Sequence, residues 1–530
     1  MSKKIFARGA LAQIPKILTL MDRNPHSPTY GCFDRNFWHY KIIDFPSGMA
    51  QEFVWPLALA YDTDITDNPF YKKLSIKEWV EAGILFASRS AHKDGSCDDY
   101  FPYERASGAA AFSLLACIES YTLLNMENDT ALHFFEKRGD WLVKHKESGQ
   151  LSNHQALTVL CLELLSKLLN TTKWEILKEK RLKTLLNWQS PEGWFLEYEG
   201  CDPGYHTLTI SLLARLYELK QTPELKDALL KAVKFAEQFI HPDGSYGGEY
   251  GSRNTYNFFP HGFELVGKWM SEALRINDHF LIGLSNGLSP CYSDDHIIGH
   301  HTWNYLLAYR DFVEERHHSE ASRPTGRIWF KEAKILIDRR DDAELYVALN
   351  KGGVFKLFRD NRLVASDTQL SLKVENGEIK NAVGHLIDNY KIRITATEIV
   401  IEGSLGWAKQ KLLTPMNLIA FRFLTIIIGR FFSDIVRKLL QKILITNKKN
   451  APFAFSRLIR WENGRLKIID ELRTKSWNRV VAAGIGCDQT SIYNAMSRTF
   501  QIGQLQPWFD LIDEVKKLSP GQPLRLERNL

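Results

Sequence analysis

The sequence predicts an α+β chain of two segregated parts: an N-terminal α/α toroid, read as an incomplete barrel, followed by an antiparallel β-sandwich. Three observations predict it. Apolar residues recur at three- and four-residue spacing from about Leu57 to Glu315, as in helices with one buried face. Glycine-bearing turns punctuate that stretch at near-regular intervals. Beyond a short polar segment the apolar period changes to two, as in strands with alternating faces.

The N-terminus, MSKKIFARGALAQIPKILTLMDRN, has basic residues but no sustained apolar core or small-residue cleavage site. It reads as an amphipathic helix rather than an export signal. Helices are expected over Ala109–Leu124, His154–Leu169, Thr207–Leu219, Leu225–Ile240 and Phe263–Leu274. Between helices lie PSG ending at Gly48, KDGS with Gly95, ESGQ with Gly149, PEGW with Gly193 and PDGS with Gly244, and a glycine-poor equivalent, SPCYSDD, near Ser293. Successive glycines are 47, 54, 44 and 51 residues apart, a degenerate repeat of about two helices per unit. A closed or arc-shaped toroid satisfies the pattern, and so does an open solenoid. The helical domain is assigned to residues 1–315.

The segment 316–326, within the polar stretch EERHHSEASRPTG, is the expected linker. From 327 to 530 the strand-like runs include Ile335–Ile337, Leu345–Leu349, Val354–Phe358, Ile392–Ile394, Ile399–Ile401, Phe455–Trp461 and Leu466–Leu472. Turn signals at Asn350–Gly353, Glu375–Gly377 and Asn463-Gly464 separate them. Helices followed by antiparallel strands mean an α domain and then a β domain. One stretch, about 409–449, breaks the strand pattern. It alternates apolar residues such as Phe421, Ile428 and Phe432 with Arg422, Arg430, Arg437, Lys438 and Lys442. Its longest uncharged run, Leu412–Phe421, is 10 residues, shorter than a spanning helix needs. A basic amphipathic helical insert of this kind reads as a membrane-surface element or as a helix packed on the β domain.

At 530 residues with 44% hydrophobic and 25% charged content, the chain has the composition of a soluble globular protein with a large core. Its net charge of +6 is small for the length, so bulk nucleic-acid binding is not implied. Seven scattered cysteines, none in a CxxC pair, argue against a disulfide framework and a Cys-type zinc site and fit a reducing compartment. No cofactor or metal is expected. Aromatic residues make up 12% of the chain, which suits either a large core or a cleft that stacks on sugar rings.

Polar and aromatic residues concentrate at the repeat turns. The clusters are Asp94–Arg105, Ser152–His154, Gly193–His206, Tyr246–Tyr256, and Asp294–His296 with His300-His301. Asn153-His154 at a helix start resembles the Asn-His element of heparinase II/III-like polysaccharide lyases and related alginate lyases. EGWFLEYEGCDPGYH, closing on Tyr205-His206, resembles that family's Gly-rich turn before the next helix. The run from Trp329 through Asp367 is similar to the opening of the family's β-sandwich. The family's β domain usually adds a His-rich, zinc-capable stretch, whereas Arg327–Leu530 holds a single histidine, His385. A metal-dependent mechanism is therefore not expected.

The resemblance implies β-elimination on a uronate-containing polysaccharide or lipid-linked saccharide. The C5 proton of a uronate is weakly acidic beside a charged carboxylate, so a neutral or cationic partner must stabilise the enolate-like intermediate. Asn153 takes that role, with Arg253 or Arg105 as alternatives. Tyr205 and His154 are the expected proton-transfer groups. His206, Asn254, Tyr256, Trp194, Glu197, Arg105 and Tyr103 are the expected sugar-binding residues. Competing readings stand beside these. Asn153 or Ser152 could be a helix N-cap. Asp98-Asp99 with Glu104 could be the paired carboxylates of a glycoside hydrolase, or caps with a salt bridge to Arg105. His300-His301 and His317-His318 read as surface or capping residues. Two alternative functions share the pattern: a uronyl C5-epimerase of surface-glycan biosynthesis and a non-catalytic glycan-binding or assembly protein. A terpene cyclase fits less well, because no DxDD motif is present. The expected location is cytoplasmic, at the inner face of the cell membrane.

Overall fold

A computed structural model describes residues 2–145, 149–197, 200–288, 297–316, 323–387, 389–408, 414–441, 448–486 and 509–530. Tyr198, Glu199, the turn around Ser293, Asp294–His296, His317-His318 and parts of the 409–449 insert lie outside the described residues. The chain divides into two compact units. The first comprises Met1–Ile240, Tyr256–Ser319 and Pro415–Leu439, and the second His241–Thr255, Glu320–Thr414 and Leu440–Leu530.

In the first unit, short helices α1 (Lys4–Leu11), α2 (Ile14–Leu20) and α3 (Arg35–Trp38) precede the repeats. The repeat helices are α4 (Val54–Asp62), α5 (Leu74–Ser90), α6 (Ser107–Leu123), α7 (Asp129–Lys144), α8 (Ser152–Leu168) and α9 (Glu175–Leu186). They continue as α10 (Pro203–Leu219), α11 (Pro223–Ala236), α12 (His261–Gly267), α13 (Ser271–Ser285) and α14 (Ile297–Arg310). The even-numbered helices from α4 to α14 pack each on the next, and α14 packs on α4. Closure, which periodicity left open, is thus made by an inner ring of six helices among the described residues. The N-terminal α1 packs on α14 and α13 and takes the outer position of the last repeat. The expected helix over Phe263–Leu274 is two helices. Met270 turns extended between α12 and α13, and at Gly267 the last turn of α12 lies so close to α13 that a Cβ would come 2.1 Å from Leu274 Cδ2.

Three of the repeat glycines have a common reason. Gly95, Gly193 and Gly244 all have positive φ, at +87°, +106° and +82°, a conformation that costs an L-residue energy. The three turns share one hydrogen-bond pattern, seen as His92 N to Ser96 O at 2.9 Å with Gly95 N to His92 O at 2.8 Å. In the first unit each turn also lies against the outer helix of the next pair. A Cβ on Gly95 would sit 2.6 Å from Arg138 N of α7, and one on Gly193 would sit 2.4 Å from Lys231 O of α11. Buried Arg138 fixes the first turn, its Nε donating to Gly95 O at 2.7 Å and its Nη1 to Ser113 Oγ at 2.7 Å.

The ring has no open axis at the level of its core. Trp55 of α4 stacks on Trp303 of α14 with ring centroids 4.5 Å apart. Arg215 of α10 pairs with Glu119 of α6 and lies 4.9 Å from the Trp55 ring. Asn304 of α14 donates to Ser211 Oγ of α10 at 2.8 Å. Helices that are not ring neighbours therefore meet through the middle.

In the second unit β1 (Gly326–Phe330), β2 (Ile335–Arg339), β3 (Ala343–Ala348), β4 (Val354–Arg359) and β5 (Arg362–Asp367) form an antiparallel meander. The remaining strands are β6 (Leu370–Asn376), β7 (Glu378–Val383), β8 (Lys391–Ile394), β9 (Glu398–Ala408), β10 (Asn450–Glu462), β11 (Arg465–Arg473), β12 (Val480–Ile485), β13 (Phe509–Asp510) and β14 (Leu524–Asn529). They form a second sheet in the order β13-β12-β6-β7-β9-β10-β11-β14, with β8 on β9. Asn463-Gly464 makes the two-residue β10–β11 turn with both φ positive, 48° and 76°, the conformation an Asn-Gly hairpin prefers. Leu345, Val347, Phe355 and Leu357 of one sheet join Leu372, Ile401, Phe455 and Ile468 of the other in the core.

The central strands β2–β4 of the meander are buried on both faces, because the segment 241–255 belongs to this unit. His241 lies 4.9 Å and Tyr250 5.6 Å from the Tyr346 ring, and Lys356 Nζ lies 3.1 Å from Glu249 Oε2. At the other end of the core, fully buried Arg457 pairs with Asp470 at 2.6 Å and Asp367 at 3.0 Å. Arg528 bonds the same two carboxylates at 2.8 Å and 2.7 Å.

Two stability outcomes are expected. Arg457→Leu leaves two buried carboxylates sharing one guanidinium, and should cost about 3 kcal/mol or more in urea-denaturation free energy. Gly193→Ala meets both the positive φ and the Lys231 carbonyl, and should cost about 1–3 kcal/mol in the same measurement.

Candidate active site

The inner helices of the ring run in one direction, and their N-terminal ends share a rim. Gly48 N donates to Asp98 O at 2.7 Å, Ser152 N to Leu196 O at 3.2 Å, and Phe259 N to Thr207 Oγ1 at 3.1 Å. These bonds link the entries of α4 and α6, of α8 and α10, and of α12 and α10. The amide ends of the helices that enter here give such a rim a positive bias. With the axis filled below it, a ligand reaches the ring from its ends.

Asn153 and His154 lie in the first turn of α8, and Tyr205 and His206 in the first turn of α10, so the rim brings the two predicted pairs to one end. Asn153 does not cap its helix. The helix begins at Ser152 with no side-chain cap, and Ser152 Oγ instead donates to Leu196 O at 2.6 Å. Asn153 is 0% exposed and its Nδ2 donates to Glu197 Oε1 at 2.8 Å. Its Oδ1 is buried with no hydrogen-bond partner among the described residues. One N–H fixes the amide plane against a carboxylate, and the carbonyl oxygen is left unsatisfied inside the rim. Half-buried His154 packs edge-on to Phe112 at 6.1 Å and against Gly108 of α6, where a Cβ would come within 2.6 Å of its ring. Tyr205 is buried, its backbone N–H held by the N-cap Asp202 at 3.0 Å.

His206 is placed with these residues but spends both ring nitrogens on the protein. Its Nε2 donates to Ala232 O at 2.9 Å and its Nδ1 accepts from Phe195 N at 3.4 Å. That geometry leaves it no nitrogen for a sugar; it ties the α10 entry to α11 and to the preceding turn. Trp194 and Tyr256 are buried, Trp194 Nε1 donating to Glu192 at 3.0 Å. Tyr103 and Arg105 sit on the loop before α6, both with positive φ. Arg253 and Asn254 belong to the second unit, where Asn254 Oδ1 accepts from Lys351 Nζ.

The carboxylates of that loop are caps. Asp98 accepts from Tyr103 N at 2.8 Å, from Arg105 N at 3.1 Å and, through Oδ1, from His92 at 2.9 Å. Glu104 accepts from Tyr100 N at 2.8 Å. The ion pair to Arg105 comes from Asp94, at 2.7 Å. A glycoside-hydrolase pair would need these oxygens free for water and the leaving group.

Sequence reasoning missed a second histidine. His300 and His301, read there as surface or capping residues, are 3% and 0% exposed inside α14. His300 stacks on Phe112 with centroids 4.0 Å apart, and its Nδ1 donates to Glu52 Oε1 at 2.7 Å. Trp303 Nε1 donates to the same oxygen at 2.5 Å, while Glu52 Oε2 is buried without a partner among the described residues. His154 and His300 thus flank Phe112 just below the rim, and the carboxylate fixes the His300 tautomer with Nε2 as its basic nitrogen. The available signal was a lone acid, Glu52, inside the apolar run FVWPLALA and its lead-in.

Burial pushes the His206 imidazole down to about 4, against a smaller upward pull from the Ala232 carbonyl. An unfolded imidazole protonates near 6.5, so the unfolded chain binds more protons between those values. The stability contributed by a neutral His206 is full above the unfolded value. It falls by roughly 3 kcal/mol as pH drops through the window to about 4. Urea midpoints measured across that range should decline less steeply for His206→Gln than for the wild type.

No protein-family model matches the chain, and no curated protein matches it in sequence. Solved structures match its fold. The xanthan lyase of Paenibacillus superposes with a TM-score of 0.52 at 10% identity, over 90% of this chain and 46% of that one. The present chain therefore spans under half the length of that lyase. The chondroitin AC lyase of Streptomyces coelicolor A3, solved with chondroitin sulphate, superposes with a TM-score of 0.53 at 9% identity, over 91% of this chain and 67% of that one. Paired helices in a ring and antiparallel sheets are thus a fold that this chain shares with these two polysaccharide lyases.

Proposed function

We propose that this chain is a carbohydrate-active enzyme that abstracts the C5 proton of a uronate-containing glycan and eliminates the 4-O substituent. The observation that carries the reading is the rim pair: Asn153-His154 and Tyr205 enter from the first turns of neighbouring inner helices. The likeness to two lyase folds supports it at the level of architecture. Each residue has a chemical task. The Asn153 amide, its plane fixed by Glu197, offers its second N–H to the substrate carboxylate and spreads the charge of the enolate-like intermediate. The positive ends of α8 and α10 favour the same anion. One of His154 and Tyr205 takes the C5 proton and the other delivers a proton to the departing O4.

A second reading, a C5-epimerase, draws on His300. Returning a proton to the opposite sugar face needs a second acid. The Glu52–His300 pair, across Phe112 from His154, is a candidate for that acid.

Tyr205→Phe removes one oxygen and leaves the Asp202 cap intact. It should lower turnover about a hundredfold or more with unchanged thermal melting. Ultraviolet absorbance of unsaturated uronate ends, run beside deuterium exchange at C5, separates the readings. Absorbance that appears with wild type and collapses in the variant supports elimination, and exchange without absorbance supports epimerisation. Neither signal on a panel of polymeric and lipid-linked uronates would overturn both.

A further inference from the structure

The helical insert runs from α15 (Pro415–Leu424) through a π turn (Thr425–Gly429) into α16 (Arg430–Gln441), which kinks at Phe432. By length and composition Pro415–Ser433 is apolar enough to cross a membrane, longer than the uncharged run in the sequence suggested. The difference is Arg422, whose charge is met by Asp44 at 2.9 Å and whose guanidinium lies over Phe45 at 5.4 Å. One narrow face of the helix is fixed to the toroid unit. Phe421 packs edge-on to Phe101 at 5.4 Å, Thr425 is fully buried, and the space beside Gly429 is bounded by Tyr103. These residues follow at about four-residue steps, so they share one side.

The opposite side is bare. Met416, Ile419, Phe423, Ile427 and Phe431 follow at steps of three and four, and are 72%, 61%, 68%, 49% and 73% exposed. Scattered exposed apolar residues need no explanation, but a continuous stripe of large ones marks a surface that is covered in use. Charge decides what covers it. Residues 415–441 hold Arg422, Arg430, Arg437 and Lys438 against a single acid, Asp434, and Arg430 is exposed at the edge of the stripe. An apolar stripe bordered by cations matches an anionic bilayer surface, whose acyl boundary takes the apolar side chains and whose headgroups take the charges.

We propose that α15–α16 is a membrane-surface anchor that lies along an anionic bilayer rather than crossing it. The anchor is fixed beside the loop carrying Tyr103 and Arg105, so docking brings the helix-entry rim to the lipid surface. Combined with the proposed function, this makes a lipid-linked uronate glycan the substrate class. The docking itself is independent of that reading and is tested without turnover.

The full chain should co-sediment with vesicles of equimolar phosphatidylglycerol and phosphatidylcholine, and much less with pure phosphatidylcholine. The triple variant Ile419→Ser, Phe423→Ser, Phe431→Ser changes only exposed side chains. It should keep its melting temperature and lose binding by about tenfold or more. Arg430→Glu should weaken binding to the anionic vesicles alone. The proposal is overturned if wild type sediments with neither vesicle, if the triple variant binds as wild type does, or if light scattering shows a dimer that the triple variant converts to monomer. The last result would make a second copy of the chain the occupant of this face.

Discussion

Closure of the inner helices around a filled axis is the constraint on which the helical unit depends. Six helices can ring an axis only if their inward side chains meet, and here they do so with polar and aromatic groups rather than aliphatic ones. Trp55 on Trp303 joins the two helices that close the ring, while Arg215 on Glu119 and Asn304 on Ser211 join helices that are not ring neighbours. Buried polar groups are costly unless paired, so each pair specifies one arrangement and disfavours slipped alternatives. The filled axis also restricts chemistry to the ends of the ring. At the end where the inner helices begin, turns whose glycines approach the next outer helix pass the repeat geometry from pair to pair.

Much of this frame was legible in the chain, and for local reasons. Gly95 and Gly193 stand out because no other residue tolerates both their φ and a backbone atom within van der Waals reach of a Cβ. Asn463-Gly464 announces its hairpin because that dipeptide readily gives two consecutive left-handed residues. What escaped depends on distant partners. Glu52 and His300 are 248 residues apart, and nothing in the neighbourhood of either reveals the other. The role of α1 as an outer helix of the ring is of the same kind, since its own sequence shows amphipathicity but not the surface it covers. The break before α13 escaped because periodicity counts apolar residues and does not register one extended residue, Met270, between two helices.

The candidate site divides along the same line. That Asn153-His154 and Tyr205-His206 share a rim was readable, because both follow repeat turns. Which of these side chains can reach a ligand was not. His206 gives one nitrogen to Ala232 and one to Phe195, partners defined only by the docking of α10 on its neighbours. The Asp98 and Glu104 carboxylates are absorbed by backbone N–H groups of their own loop, a demand set by the left-handed residues Tyr103 and Arg105. Loops with such backbone leave several N–H groups pointing one way, and acids are the natural acceptors.

The segment His241–Thr255 carries a further consequence. It begins with the same glycine turn as the helical repeats, yet it belongs to the β unit and covers the second face of the β1–β5 meander through Tyr250 and Glu249. The chain passes between its two units five times. No single cut near the polar linker yields both units whole, because a fragment starting there would expose Tyr346 and Lys356 to water. In evolutionary terms the β unit is not a cassette. Recombination at the obvious boundary would have to carry a loop from deep within the helical repeats, so the two halves are expected to have diverged together rather than to have been exchanged among unrelated proteins.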